Sequence, residues 1–306
     1  MAKHTITTYS PERFRQNYIT PAKELDGLLK PDFTKFFLVK VEALLRLMKL
    51  PVPPVRTTNH TLIYLTQGEA TMTIGSETFK IFRDECLFVP AGQVYSFSRR
   101  DKNKGYLCNF SNDFLIGRFG TAELLNDFEF LSVWGNPCVR LDKQPSTFVL
   151  HLLKRILLEY SHNGLNNTNI LHAYFISLLC EVNSAYKPLS PSPRTQAVHL
   201  TNRFKALLFA NVRSRHCVSD YAALLNITPN HLNKVVKNIS GKSPTKWIDE
   251  AIVLEAKVLL YQSSFNIGEV AEAVGISDQS YFSRLFKKYE SVTPLQFRQM
   301  IEKSQR

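Results

Sequence analysis

The sequence lacks the features that several function classes require. Its five cysteines, Cys86, Cys108, Cys138, Cys180 and Cys217, are scattered, with no CxxC and no zinc-knuckle spacing. An odd, dispersed set of thiols suits a reduced protein and excludes a disulfide scaffold. Residues 1–14 contain no apolar core of a signal peptide. The longest charge-free stretch, Tyr160 to Cys180, carries Asn163, Asn166, Asn167 and Asn169 and is too polar to span a bilayer. A cytoplasmic chain with no membrane segment is expected. There is no GxSxG, no P-loop and no glycine-rich dinucleotide fingerprint.

What is present describes two globular domains. The 306 residues are 44% hydrophobic and 11% aromatic, enough apolar mass for a real core. Lys and Arg number 38 against 26 Asp and Glu, a formal charge of +12 that favours a polyanionic partner. The clearest seam is Lys187 to Arg194, where three prolines alternate with small residues as in a semi-stiff connector. Residues 1–187 carry +5 and the shorter remainder carries +7, so nucleic-acid contacts are expected after the seam.

Before it, Ala70, Met72 and Ile74 alternate with Thr71 and Thr73, a strand with one buried face. Gly75-Ser76 supplies a hairpin turn, and Phe79 and Ile81 resume the alternation. Short strands continue through Leu87-Phe88-Val89 to Tyr95 and Phe97, which predicts a small sandwich or barrel. From Phe148 the period becomes helical, with Val149, Leu152, Leu153, Ile156 and Leu157 on one face. A second helix, about Ile170 to Tyr186, is apolar on more than one side, through Leu171, Tyr174, Phe175, Leu178, Leu179 and Val182. Such a helix packs either inside a core or against a second copy of the chain as well.

After the seam an internal repeat dominates. Val218 to Lys237 aligns with Ile267 to Lys287, Ala222 standing opposite Ala271, and Ser243-Pro244 and Trp247 opposite Thr293-Pro294 and Phe297. Each unit reads as a short helix with a small residue at its centre, a tight turn and a second helix, the pattern of a helix-turn-helix. In the first unit Thr228-Pro229 is an N-cap followed by proline. Leu232, Val235, Val236 and Ile239 form the inner stripe of its second helix, leaving Asn230, Asn233, Lys234 and Lys237 outside. In the second unit Phe282, Leu285, Phe286 and Tyr289 point inward, leaving Ser280, Ser283, Arg284 and Lys287 outside. Short polar and basic side chains on such a face suit base edges and phosphates in a major groove. A helix from Pro244 to about Tyr261 joins the two units. At 1.5 Å per residue it is about 27 Å long, near the ~34 Å between successive major-groove faces.

Residues 195–306 resemble the DNA-binding domain of the AraC/XylS family of bacterial transcription regulators. The resemblance rests on Val270-Ala271, the run Gly275 to Lys288, Thr293-Pro294 and Phe297-Arg298. Departures are Ile276 where Phe is usual, Ser291 in place of a Gly, and Ile252 at a position that is often Arg. The resemblance implies base reading by Asn230, Asn233, Lys234, Ser280, Ser283 and Arg284, with Lys237, Lys287 and Lys288 on the DNA backbone. More weakly, Leu62 to Phe97 resembles the cupin-type barrel that many such regulators carry, with Asp84 to Tyr95 similar to the second cupin motif. Asp84 replaces a glycine of that motif, and Tyr95 stands where a cupin enzyme has a metal-binding His.

A cupin enzyme needs about three converging imidazole or carboxylate ligands, and His60 is the one imidazole in this region. No metal, cofactor or catalytic residue is therefore expected. The fold expected is an α+β multidomain chain. Residues 1–187 form a cupin-like β-barrel with trailing helices, for effector binding and dimerisation, and 188–194 are a proline-rich linker. Residues 195–306 form an all-α domain, with helix-turn-helix units at about 218–239 and 267–289 joined by a linker helix. The expected function is sequence-specific, effector-responsive transcription regulation on double-stranded DNA. By resemblance alone it is an activator, a homodimer and a partner of RNA polymerase. A constitutive dimeric regulator without an effector stays open as the alternative; a metal-dependent cupin enzyme fused to a DNA-binding domain is more remote.

Overall fold

The computed structural model describes residues 8–97, 102–116, 128–132, 136–186 and 196–304. The chain divides into two compact units, Thr8–Pro188 and Leu189–Arg306. The proline-rich seam at 187–194 lies outside the described residues.

In the first unit, nine strands are β1 (Thr8–Tyr9), β2 (Phe36–Lys40), β3 (Val52–Thr57), β4 (His60–Ile74), β5 (Glu77–Phe82), β6 (Glu85–Val89), β7 (Val94–Phe97), β8 (Asn103–Phe110) and β9 (Cys138–Arg140). The 15-residue β4 organises them. Its first half pairs with β6 and β8, its second half with β5 and β7, and a register shift between Leu65 and Gln67 marks the change. One layer therefore runs β2-β8-β4-β6-β9 and the other β1-β3-β7-β4-β5. The hairpin at Gly75-Ser76 forms, with Ile74 opposite Glu77.

The sheet does not close into the barrel expected from the sequence. The described strands leave β1, β2, β5 and β9 as edges, because β4 bends between layers instead of the end strands meeting. Asp84 replaces the motif's glycine at a backbone φ of 62°, and its carboxylate accepts a hydrogen bond from Tyr64 Oη at 2.9 Å. Short polar side chains tolerate this left-handed conformation when held in place locally.

Strand alternation sorts side chains onto two faces. Leu62, Tyr64, Cys108 and Phe110 are buried, and Phe36 and Phe110 meet Phe175 edge to face with ring centroids 5.4 and 4.7 Å away. Phe175 belongs to the second of two long helices, Lys143–Asn163 and Thr168–Ala185, which cover this face. In the second of these helices, Leu171, Phe175, Leu178, Leu179 and Val182 are wholly buried. Tyr174, expected among the apolar contacts, lies at the surface under the Arg155 guanidinium, 5.2 Å from it. The opposite face, with Thr61, Ile63, Leu107 and Asn109, lines a cavity bordered by the short helices α1 (Pro11–Tyr18) and α3 (Val41–Leu47) and by Leu29, which follows α2 (Lys23–Leu28).

The second unit is all helical over its described residues. Numbering continues after α4 (Asn112–Ile116) and the two long helices, α5 and α6. The series is α7 (Gln196–Asn211), α8 (Val218–Leu224), α9 (Pro229–Ser240), α10 (Pro244–Gln262), α11 (Ile267–Ala273), α12 (Gln279–Glu290) and α13 (Pro294–Ser304). No helix of the described residues is long and apolar enough to cross a membrane.

Candidate nucleic-acid interface

The two helix-turn-helix units, α8–α9 and α11–α12, are built by the same local rules. Ala222 and Ala271 are buried at the helix crossings, where a larger side chain would hold the helices apart. Both turns need a left-handed residue. Asn226 (φ 56°) and Gly275 (φ 84°) provide it, at the same place in the repeat. The next amide closes each turn: Ile227 N–H donates to Ala222 O at 3.0 Å, and Ile276 N–H to Ala271 O at 2.8 Å.

The second helices start with different caps. Thr228 Oγ1 accepts from His231 N–H at 3.2 Å and Pro229 follows at the first helical position. Asp278 Oδ1 accepts from Ser280 N–H at 2.8 Å and Tyr281 N–H at 3.1 Å. A carboxylate there is also favoured by the positive end of the helix dipole.

The burial pattern decides which faces are available. In α9, Leu232 and Val236 are fully buried, while Val235 and Ile239 are half-buried. Asn230, Lys234 and Lys237 are exposed and Asn233 is half-buried. In α12, Phe282, Leu285 and Phe286 are buried and Tyr289 half-buried. Ser280, Arg284, Lys287 and Lys288 are exposed, and Ser283 is half-buried. Each outer set, 230-233-234-237 and 280-283-284-287, follows i, i+3, i+4, i+7 and so forms one stripe.

Two further outward residues escaped the sequence reading. His231 is exposed, and so is Tyr281, at 48%. They occupy matching positions in the first turns of α9 and α12. The repeat itself was the signal that could have found them.

The helix α10 holds both heads. Eleven of its nineteen residues are buried. Trp247 Nε1 donates to Ser240 Oγ at the end of α9 (2.9 Å), and Lys242 pairs with Glu250 at 3.1 Å. At the end of α12, Lys257 pairs with Glu290 at 2.8 Å, and Asp249 accepts from Tyr289 Oη at 2.9 Å and pairs with Lys288 Nζ at 3.4 Å. Glu255, buried in α10, takes two hydrogen bonds from Arg213, at 3.1 and 3.2 Å. Ile252, at the position where the sequence led us to look for an Arg, is itself buried.

In the first unit, both nitrogens of His60 are engaged within the protein. Nδ1 accepts from Ala91 N–H at 3.1 Å, and Nε2 lies 2.7 Å from Asn112 Oδ1. Burial pulls its pKa down to about 4, against the opposing hydrogen bond to Asn112. Among the described residues no three His, Cys, Asp or Glu side chains are grouped as a metal site would require.

Residues 221–300 match the family model of a helix-turn-helix domain. The chain is similar to YisR, an uncharacterised HTH-type transcriptional regulator of Bacillus subtilis (strain 168). The two are 22% identical over 252 residues, covering 79% of this chain and 86% of that protein. It is also similar to the HTH-type transcriptional regulator ExsA of Pseudomonas aeruginosa, 27% identical over 249 residues, which cover 77% of this chain and 84% of that one. Among solved structures, ToxT from Vibrio cholerae O395 aligns with a TM-score of 0.44 at 14% identity, covering 82% of this chain and 92% of that one.

Proposed function

We propose that this chain is a DNA-binding transcription regulator of the AraC/XylS family and that its two heads read adjacent major-groove segments of one operator. Asn230, Asn233 and Lys234 face the bases in one segment, and Ser280, Ser283 and Arg284 in the other. Lys237, Lys287 and Lys288 meet phosphates. The observation that carries this reading is the repeated outward stripe, polar and basic in both heads and backed by the same buried positions. The 19-residue α10, about 28 Å long, sets the spacing between them near the ~34 Å of successive groove faces.

We assign the regulatory role to residues 1–187, a cupin-like unit that senses a small effector, pairs two chains and catalyses nothing. His60, with both nitrogens held by the fold, supports a structural role for the residue nearest to a cupin ligand. Homodimerisation and recruitment of RNA polymerase follow from the family.

Footprinting of the intact chain on DNA upstream of its own gene tests the reading. Two protected segments about one helical turn apart are expected. Replacing Asn230, Asn233 and Lys234 together by Ala should erase one segment and leave the other. A footprint unchanged by that substitution overturns the two-headed assignment.

A further inference from the structure

The anchors that run through α10 hold α9 and α12 by their C-terminal ends. Trp247 reaches Ser240 at the end of α9, and Asp249 and Lys257 reach Tyr289 and Glu290 at the end of α12. A helix fixed at one end can still swing at the other. In a helix-turn-helix it is the N-terminal end of the second helix that meets the base edges. The start of α12 is held by a different contact, and that contact comes from the first head.

Residues 212–217 join α7 to α8 and are tied in three directions. Tyr221 Oη, on α8, donates to Arg215 O at 2.8 Å, which fixes the segment to the first head. Arg213 gives two hydrogen bonds, at 3.1 and 3.2 Å, to Glu255 in α10, whose side chain is 5% exposed. His216 Nε2 lies 3.0 Å from Val212 O and 3.1 Å from Val274 O. Both partners are carbonyl oxygens, so Nε2 carries the proton and donates to the two together.

Val274 and Gly275 belong to the turn that leads into α12. A Cβ on Gly275 would lie 2.1 Å from Arg213 O and 2.6 Å from His216 Cε1. The segment and the turn therefore meet backbone against backbone, with no loose side chain between them to absorb a change of angle.

One base pair added between two sites on DNA carries the second about 3.4 Å along the axis and about 34° around it, at 10–10.5 base pairs per turn. Two heads that pivot freely follow such a change. Two heads that are braced lose one of their grips, and with it the gain in affinity from being linked.

We infer that residues 212–217 form a brace that aims the start of α12 relative to the first head, so that the protein selects the spacing between its two DNA segments as well as their sequences. His216 is a positioning residue in this brace, acting through Val274 and not on the bases. The inference rests on the two-headed reading above and goes beyond it. It gives a segment outside both outward stripes the choice between operators of equal sequence and different spacing.

Selection of bound DNA by the full chain, from random duplexes of about 30 base pairs or three helical turns, tests it. The native chain should enrich two adjacent sequence blocks at one spacing, with spacings one base pair longer or shorter about tenfold rarer or more. His216→Ala should enrich the same two blocks, with neighbouring spacings within about threefold of one another. His216→Gln, whose amide nitrogen stands where the imidazole Nε2 does, should restore the single spacing. Arg213→Met and Glu255→Met made together replace a buried ion pair by carbon, a change that often leaves stability intact. That double variant should also broaden the spacing, and it covers the case in which His216→Ala does not fold. A merely structural role would lower the melting temperature and the yield of bound DNA at every spacing alike, leaving the distribution sharp. A sharp distribution in both the His216→Ala and the double variant overturns the inference, as does a broad one in the native chain. Enrichment of a single block by the native chain overturns the two-headed reading itself, and the brace falls with it.

Discussion

The first and second heads share a scaffold but solve its hardest positions with different residues. At the inter-helix turn the first head uses Asn226 and the second Gly275; at the end of its second helix the first uses Gly241 (φ 70°) and the second Ser291 (φ 63°). Each head thus has one glycine and one polar residue in a left-handed conformation, at exchanged places. The surroundings explain the first exchange. A Cβ on Gly275 would lie 2.1 Å from Arg213 O and 2.6 Å from His216 Cε1, because the segment after α7 crosses that turn. His216 Nε2 in turn lies 3.1 Å from Val274 O, joining the same segment to the second head. Asn226 belongs to a turn where a side chain is accommodated. The difference teaches that the fold fixes backbone conformation at these positions, while local crowding decides whether glycine is obligatory.

The largest expected effect breaks this comparison directly. Gly275→Ala meets a backbone oxygen that cannot move without shifting the segment after α7. It should cost about 3 kcal/mol or more, from left-handed strain and overpacking together. Asn226→Ala, in the same conformation without that neighbour, should cost about 1 kcal/mol. Denaturant unfolding of the two variants measures both. Equal losses would show that conformation alone, not the crossing segment, sets the requirement.

Next in size is the chemistry of the two outward faces. Arg284 offers a planar fork that can bond guanine O6 and N7 together, whereas Lys234, at the matching position, offers a point charge. Arg284→Ala should cost about 1–3 kcal/mol on the cognate operator and relax preference at one or two base positions. Lys234→Ala should cost less and relax preference less. Titrations on cognate and scrambled duplexes separate these outcomes. Equal losses on both duplexes for Arg284→Ala would make it a phosphate clamp.

The second unit was legible in the sequence because its repeat doubles every signal. The small residues Ala222 and Ala271 and the inner stripes ending at Ile239 and Tyr289 each form a matching pair, so a chance pattern in one unit is checked by the other. The first unit offered less. Val89 and its neighbours in β6 are buried on both faces, as are Phe36 to Val39, and strands of that kind lose the period-two alternation. The alternating second half of β4 was readable, while its continuity with His60 to Leu65 was not, nor was its bend between two layers. Open and closed sheets differ in whether the edge strands meet, which no local pattern records. The cavity has no linear signature either, since its lining runs from Pro11 to Asn109 through eight separate elements and their loops. His231 and Tyr281 lie beside the i, i+3, i+4, i+7 stripe of each helix, so the helical period does not mark them.

Ser291 sharpens the second exchange. Its φ of 63° is strained for a residue with a Cβ, and its amide donates to Lys287 O at 2.9 Å as the C-cap of α12. Ser291→Gly should stabilise the unit by about 1 kcal/mol, and Gly241→Ala in the first head should destabilise it by a similar amount. No atom lies within 4 Å of a Cβ placed on Gly241, so that second loss would be conformational alone. Thermal unfolding of the two variants checks the pair. A Ser291→Gly variant no more stable than the native chain would mean that the serine side chain itself contributes what the strain removes.

The smallest expected effect separates two neighbouring lysines at the end of α12. Lys287 and Lys288 are both exposed, but Lys288 Nζ is 3.4 Å from Asp249 Oδ2 on α10 and 5.1 Å from the centroid of the Tyr289 ring. An ammonium already partnered by a carboxylate releases less counterion when DNA arrives, because its charge is partly neutralised beforehand. Lys287→Ala should therefore weaken binding to cognate and random DNA alike and lower the salt slope by about one unit. Lys288→Ala should lower it by clearly less. The lysine side chain is 66% exposed while that of Asp249 is 13% exposed, so the ammonium can reach a phosphate from a carboxylate held in the fold. Asp249→Asn keeps an acceptor for Tyr289 Oη while removing the charge. In that background Lys288→Ala should lower the slope by about one unit, as Lys287→Ala does in the native chain. Equal slopes for the two lysine variants in the native chain would show that Asp249 does not withhold Lys288 from the DNA.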